Sequence, residues 1–247
     1  MPDRTTSKSM YASLHYYLDD LLDSGVEGIP VSAPSAKEPT ENVPAPNDEN
    51  QAVTLSDLAA EVAACQRCGL ATERRQAVFG QGCSSPRLVL VGEAPGAEED
   101  RLGQPFVGDA GKVLNRLLGA MGLSRDEVYI CNVIKCRPPN NRNPHKDEIV
   151  ACSHYLKQQL ILLKPDVLVA LGTFAAQTLL GNKEPISRLR GKLHPMPGFE
   201  GLMVMPTFHP AFLLRNQDNK EHFWEVWSDM SKVLAHLGLP VPDKKRR

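Results

Sequence analysis

Hydrophobic positions along residues 55–237 switch repeatedly between short apolar runs and helical stripes. The runs predict four strands, at 88–92, 128–135, 167–171 and 202–208. Apolar side chains spaced three and four residues apart predict helices over about 55–64, 109–121, 143–163, 173–181 and 219–237. Strands that alternate with helices indicate an α/β fold. We expect a three-layer α/β/α sandwich with a central four-stranded parallel sheet.

Residues at the predicted helix ends refine these boundaries. Asp109 and Thr173 are predicted N-caps, and Pro144 is predicted at the first position of its helix. In the last helix, the apolar stripe predicts that Phe223 and Trp227 are buried with the aliphatic residues that follow.

The first fifty residues have a different character. Residues 8–24 carry a helical apolar stripe, whereas 29–49 contain five prolines among acidic and small residues. Such a segment buries too little apolar surface to offset its ordering entropy, which is typical of an extended linker. We therefore predict an amphipathic helix with a Pro-rich linker over 1–53, a globular domain over 54–239 and a basic tail over 240–247. The front helix either docks on a partner protein or is loosely attached, and the sequence favours neither.

Composition narrows the class of protein. Among the 247 residues, 28 are basic and 29 acidic, for a net charge of −1. This near balance argues against extensive wrapping of phosphates but allows a local basic groove. No apolar run reaches eighteen residues, and the N-terminus lacks the apolar core of a signal peptide. We expect a cytoplasmic monomer without a membrane partner.

Two motifs follow predicted strand ends. The segment 92–108 reads GEAPGAEEDRLGQPFVG, and 209–215 reads HPAFLLR. Ligands of open α/β sheets bind at the carboxyl edge, where these segments should meet. The Glu93 carboxylate, the backbone amides near Gly96 and the Phe106 ring would suit a flat, polar ring such as a nucleobase.

The six cysteines are a second candidate site. Cys65 and Cys68 form a C-x-x-C pair at a helix end, and Cys136 and Cys152 could complete a four-thiolate set. Thiolates suit both zinc and iron–sulfur clusters, and spacing does not separate the two. Isolated buried thiols are the alternative. Cys83 and Cys131 are predicted to take no part.

These motifs resemble those of the family 4 (iron–sulfur) uracil-DNA glycosylases, over roughly residues 55–238. The matching segments are GEAPGAEED at 92–100, GQPFVGDAG at 103–111, CNVIKCRPPNNRNP at 131–144, HPAFLLR at 209–215 and the four-cysteine pattern. The resemblance implies excision of uracil from DNA. It also implies a four-iron, four-sulfur (4Fe–4S) cluster on Cys65, Cys68, Cys136 and Cys152.

The resemblance also implies roles for individual residues. Phe106 should stack on a flipped uracil, Asn132 should read its O4/N3 edge, and His209 should face O2. Glu93 lies in the segment that handles water. Gly92, Ala94 and Gly96 should border the substrate.

Two departures from related sequences bear on the reaction. A better-known branch of the superfamily has an aspartate at the position of Ala94, so Glu93 becomes the candidate general base and Glu99 a weaker second. A relative that captures DNA covalently carries a basic KRRIH-type run before the position of Pro144. This chain has no such histidine there, so we expect hydrolysis with turnover.

Candidate DNA contacts are Arg137, Arg142, Leu213 and Arg215, with Leu213 filling the vacated base stack. Two other functions remain open at this stage: a non-catalytic iron–sulfur DNA-binding or redox module on the same fold, and a hydrolase of free nucleosides. The chain lacks the GxGxxG and GxxxxGK[ST] patterns, so dinucleotide and P-loop sites are not predicted.

Overall fold

The computed structural model describes residues 53–243. The predicted helix at 8–24, the linker at 29–49 and the last four residues of the tail lie outside this range. No helix within 53–243 is long and apolar enough to cross a bilayer. The described elements are, in chain order, α1 (Leu55–Ala64), α2 (Leu70–Glu73), β1 (Gln81–Gly82), β2 (Leu88–Gly92), α3 (Ala97–Leu102), α4 (Asp109–Met121), β3 (Tyr129–Asn132), α5 (Lys146–Leu163), β4 (Val167–Leu171), α6 (Thr173–Leu180), α7 (Ile186–Leu189), β5 (His194–Pro195), β6 (Met203–Thr207), α8 (Pro210–Arg215) and α9 (Lys220–His236).

The strands form one six-stranded sheet in the order β1-β3-β2-β4-β6-β5. The four central strands are parallel, as the sequence predicts. The structure adds β1 and β5, which pair antiparallel at the two edges. Each has two residues and contains glycine or proline, which is typical of sheet edges and too short for a periodicity signal.

Helices cover both faces of the sheet. Successive side chains of a strand point to opposite faces, so Val89 and Val91 pack on one side and Leu88 and Leu90 on the other. The first side is covered by α1, α5 and α6, and the second by α4 and α9. The α/β/α sandwich is therefore confirmed.

Several predicted boundaries are wrong by a few residues. Helix α4 starts at Asp109 with Gly108 as its N-cap, and α6 starts at Thr173 with Gly172 as its N-cap. Helix α5 begins at Lys146, two residues after Pro144. The side chain of Phe223 is 41% exposed rather than buried. Phe223 lies in the first turn of α9, where the apolar stripe of the helix extends beyond the hydrophobic core.

Candidate active site

The carboxyl ends of the four parallel strands bring the two motifs to one edge. Gly92 and Asn132 are register partners at the ends of β2 and β3. Leu171 and Thr207 are register partners at the ends of β4 and β6, and His209 follows two residues later. The strand register, rather than sequence proximity, therefore gathers these residues.

The rings of Phe106 and His209 lie side by side at this edge. Their ring centroids lie 5.6 Å apart and the ring planes are inclined by 32°. Two stacking contacts would need about 7 Å, twice the usual contact of ~3.5 Å, so a planar ligand cannot lie between both rings. A base stacked on Phe106 would instead meet His209 at its edge. We call the space bounded by Gly92, Phe106, Asn132 and His209 the base slot.

Gly92 makes room for the base slot. A Cβ on Gly92 would lie 2.6 Å from Phe106 Cζ and closer still to Asn132 Oδ1. Such distances are well inside van der Waals contact, so both side chains would have to move. The close approach of the Phe106 and Asn132 side chains therefore requires a glycine at this strand end.

We expect Gly92→Ala to abolish most activity while the fold survives, because the added methyl displaces Asn132 and Phe106. The matched control is Gly119→Ala in α4, where a Cβ would meet nothing within 4 Å. That change should stabilise the protein by about 0.5–1 kcal/mol. Catalytic rates and melting temperatures of the two variants check the pair. Normal activity of Gly92→Ala would contradict this account.

Asn132 carries an unused hydrogen-bonding atom. The residue is 1% exposed, and its Oδ1 has no hydrogen-bond partner among residues 53–243. Buried polar atoms are nearly always paired, since an orphan costs about 1–3 kcal/mol. An acceptor held unpaired in the base slot suits a ligand that brings an N–H donor.

Glu93 is partly buried beside the slot. Burial raises the pKa of its carboxyl from 4.5 to about 7. A carboxylate with a pKa near neutrality can accept a proton effectively at physiological pH. Its neighbour Ala94 packs against the core, and Gly96 is the N-cap of α3.

His209 is held in one neutral tautomer. The backbone N–H of Ala211 donates to His209 Nδ1 at 3.1 Å, so the ring proton of a neutral imidazole lies on Nε2. Burial, followed by the positive charge of Arg215, lowers the pKa of His209 to about 4. The ring is therefore a neutral Nε2–H donor at pH 7.

The Phe106 turn is held from two sides by residues that the sequence did not single out for this role. Phe106 has φ of 52°, a left-handed conformation that costs energy in a residue other than glycine. Glu99 Oε1 accepts the backbone N–H groups of Val107 and Gly108 at 2.9 and 3.0 Å. Arg125 donates to the carbonyls of Pro105 and Phe106 at 2.6 and 3.1 Å. These contacts give Glu99 a positioning role in this turn, and its assignment as a weaker alternative general base stays a prediction.

The predicted DNA contacts differ in exposure and in hydrogen-bond partners. Arg215 is exposed, and Arg137 donates to Asn141 Oδ1 at 2.8 Å at a partly exposed position. Arg142 donates two hydrogen bonds to the buried Glu148, which fixes its guanidinium although a third of the side chain is accessible. Leu213 in α8 is buried against the core and also lines a surface groove next to α4 and α9, and its assignment to the vacated base stack stays a prediction.

The four predicted metal-binding cysteines border one small cavity. Cys65, Cys68, Cys136 and Cys152 line it together with Arg74 and Lys135. Within 53–243, no group of three or more His, Cys, Asp or Glu residues is arranged to hold a single metal ion. The thiols therefore surround a volume rather than one point.

Two N–H donors already point at the sulfurs of this cavity. Arg74 Nη1 donates to Cys136 Sγ at 2.9 Å, and the backbone N–H of Lys135 donates to Cys152 Sγ at 3.3 Å. Burial raises the pKa of the Cys152 thiol to about 11 and also raises the pKa of Cys136. A bound cation would therefore favour the thiolate forms of Cys136 and Cys152.

Lys135 links the cysteine cavity to the base slot. The side chain is 1% exposed, and Nζ donates to the backbone carbonyl of Asn132 at 2.8 Å and to Gln159 Oε1. The burial of Lys135 arises from tertiary packing, so the residue pattern carries no signal of this link.

Gly172 is another residue at this edge of the sheet that lies outside the two sequence motifs. It directly follows β4 with φ of 94°, and a Cβ there would lie 3.1 Å from His209 Cβ. A glycine directly after a predicted strand at the same edge could have indicated this close approach.

Comparisons with known proteins agree with this geometry. A family model described as the uracil DNA glycosylase superfamily matches residues 79–231. The chain is 47% identical over 168 residues to the type-4 uracil-DNA glycosylase of Thermotoga maritima, covering 67% of this chain and 86% of the relative. It is 40% identical to the type-4 uracil-DNA glycosylase of Archaeoglobus fulgidus, covering 76% of this chain and 96% of that one. A type-5 uracil-DNA glycosylase of Thermus thermophilus is 34% identical over 151 residues, covering 53% of this chain and 68% of the relative.

Proposed function

The chain belongs to the type-4 family of the uracil-DNA glycosylase superfamily, and on that basis we propose how it removes uracil from DNA. The reaction hydrolyses the N-glycosidic bond of deoxyuridine, releases free uracil and leaves an abasic site for base excision repair. The observation that carries the mechanism is the base slot, where an unpaired buried amide oxygen lies beside an aromatic ring and a neutral histidine. A base inside a duplex must be flipped out to reach such a slot.

Asn132 selects uracil by its hydrogen-bonding edge. Uracil offers an N3–H donor to Asn132 Oδ1 and an O4 acceptor to the amide NH₂. Cytosine presents the opposite pattern, which would leave both amide groups unpaired at about 1–3 kcal/mol each. Phe106 stacks on the face of the base, and Gly92, Ala94 and Gly96 border it.

Cleavage builds positive charge on the sugar and negative charge on the departing uracil. His209 donates Nε2–H to O2 and stabilises the anion, so the leaving group need not be protonated first. Glu93 accepts a proton from the water that attacks C1′, and the hydroxyl remains on the sugar. The ionised Glu93 also stabilises the cationic sugar.

Release of uracil from an oligonucleotide with one deoxyuridine, with no added cofactor, tests this function. The wild type should give free uracil and an abasic strand, and Asn132→Ala should lose most of the activity while its melting temperature stays close to that of the wild type. No abasic product from folded, iron-loaded protein would refute the proposal. That result would favour the non-catalytic DNA-binding alternative. The presence of Glu93, Asn132 and His209 together argues against this alternative. Release from free deoxyuridine without affinity for DNA would indicate a nucleoside hydrolase.

We also propose that the cysteine cavity holds the 4Fe–4S cluster. The residues fit such a group because four thiols surround one volume and two N–H donors meet the sulfurs. Cys65, Cys68, Cys136 and Cys152 would hold the cluster, which would tie α1 to the segment after β3. Its contribution would be structural, because Lys135 contacts both Cys152 Sγ and the backbone carbonyl of Asn132 and so connects the cavity to the strand end.

Cys136→Ser should lose bound iron and sulfide together with the visible absorbance of the cluster, because one of four ligands is removed. Cys83→Ser is the control, since Cys83 lies outside the cavity. Iron and sulfide analysis with an absorbance spectrum measures both variants. Equal iron in the two would refute the ligand assignment.

The remaining assignments are proposals of the same kind. Residues 54–239 form the catalytic domain, and the protein acts as a monomer in the cytoplasm. Arg137, Arg142 and Arg215 are the proposed phosphate contacts. The segment 1–53 is a candidate site for a protein partner.

A further inference from the structure

A groove of about 520 Å³ lies beside the base slot, between α4 and the residues around α8 and the start of α9. Aromatic and aliphatic side chains line it, including Phe223, Trp224, Leu214 and Val113. Both charged residues in its lining, Arg116 and Lys220, are cations. Three side-chain amides complete the polar part.

This combination is typical of surfaces that bind single-stranded nucleic acid. Such surfaces use aromatic rings for base stacking and cations for the backbone. Phe223 is 41% exposed and meets Trp224 edge-on, with ring centroids 5.8 Å apart and an interplanar angle of 80°. The Phe223 ring thus lies at the protein surface in contact with a second aromatic ring.

The position of the groove matches the path of a strand that leaves the base slot. Helix α4 begins three residues after Phe106, and α8 begins directly after His209. Val113 and Leu214 are each four residues into their helices, or about 6 Å along the axis at ~1.5 Å per residue. The groove therefore starts about one nucleotide away from the slot.

We infer that this groove holds the base of a nucleotide adjacent to the flipped uridine on the same strand. The base packs against Phe223, and Arg116 and Lys220 face the backbone phosphates. This inference rests on the proposed function, and it makes the substrate a strand that is unstacked on one side of the lesion. Stacking accepts every base, so the groove imposes no sequence preference.

A double-mutant cycle, which combines removal of a protein side chain with removal of a DNA base, tests the groove. Single-stranded oligonucleotides carry one deoxyuridine, and in each a baseless tetrahydrofuran replaces one of the three nucleotides on either side. Dissociation constants are measured in the Glu93→Gln background, at mixing times short enough that the slowed cleavage consumes little substrate. The proteins compared are Glu93→Gln alone and Glu93→Gln with Phe223→Ala. The control adds Ile161→Ala, an exposed apolar residue on α5 that packs on the other face of the sheet.

Phe223→Ala should weaken binding of the intact strand about 5- to 150-fold, the range expected for loss of one base–aromatic stack. The same loss should follow when the base at one particular flanking position is removed. With both changes together, no further loss is expected. Ile161→Ala should bind as the parent does.

Equal effects of Phe223→Ala on every oligonucleotide, or no effect on any, would overturn the inference and assign the groove to a protein partner instead. Uracil release by the wild type is scored separately. Its failure would refute the proposed function, whereas the binding cycle alone decides the groove.

Discussion

Glu93→Gln should lower kcat by about 10²–10⁴-fold, the usual contribution of a positioned general base. Glutamine keeps the size of the side chain but cannot accept the proton of the attacking water. In the wild type, the base is active when ionised, and burial raises its pKa to about 7. The rate should therefore rise with pH through about 7 and then level off.

Stability gives an independent check on Glu93. Its folded-state pKa is raised from 4.5 to about 7, so the folded protein holds an extra proton between these pH values. The unfolding free energy contributed by this carboxyl is therefore fully present below about pH 4.5 and is lost as pH rises through 7. Glu93→Gln should melt at a higher temperature than the wild type at pH 8, and the two should converge at pH 4. A pH-independent wild-type rate between 5 and 9 would exclude Glu93 as the base.

His209→Ala should lower kcat by about 10²–10³-fold, as expected for the loss of one preorganised donor to a developing anion. The change also removes the acceptor for the Ala211 N–H at the start of α8, which costs about 1 kcal/mol of stability. His209→Ser separates the two effects, because serine can cap the helix but brings no imidazole. Serine should restore the melting temperature and leave the rate as low as in the alanine variant.

The pH dependence distinguishes a neutral donor from a protonated one. Since the pKa of His209 is about 4, the ring stays neutral across the working range. The wild-type rate should not fall between pH 5 and 8 through loss of a histidine proton. The exposed His236 in the last turn of α9 provides the control variant, His236→Ala, which should keep full activity. A rate that falls with the titration of a group near pH 6.5 would contradict the assignment.

Much of the base slot was predictable because strand ends in a parallel sheet share an edge. Gly92, Asn132 and His209 each close or follow an apolar run, and the family resemblance supplied their roles. The roles of Glu99 and Arg125 were not predictable in this way. Their contacts with the 105–108 turn depend on how α3 and the residues after α4 pack, and residue spacing carries no record of that packing.

The exposure of Phe223 and the burial of Leu213 have a common cause. The stripe of α9 correctly includes Phe223, but the core ends before the first turn of the helix. Leu213 lies in a six-residue helix whose phase is set by Pro210 and by packing on α4. Periodicity gives the face of a helix, whereas the neighbouring elements decide whether anything covers that face.

The sequence by itself determined the α/β/α class, the parallel order of alternating strands and helices, and the two motifs at strand ends, because periodicity and local turn chemistry are short-range properties. The tertiary structure alone decided the unpaired Asn132 Oδ1, the left-handed Phe106 turn and the link from Lys135 to Asn132. It also set the neutral state of His209 and the raised pKa of Glu93. Each of these depends on desolvation and on contacts between distant segments, which exist only once the chain is folded.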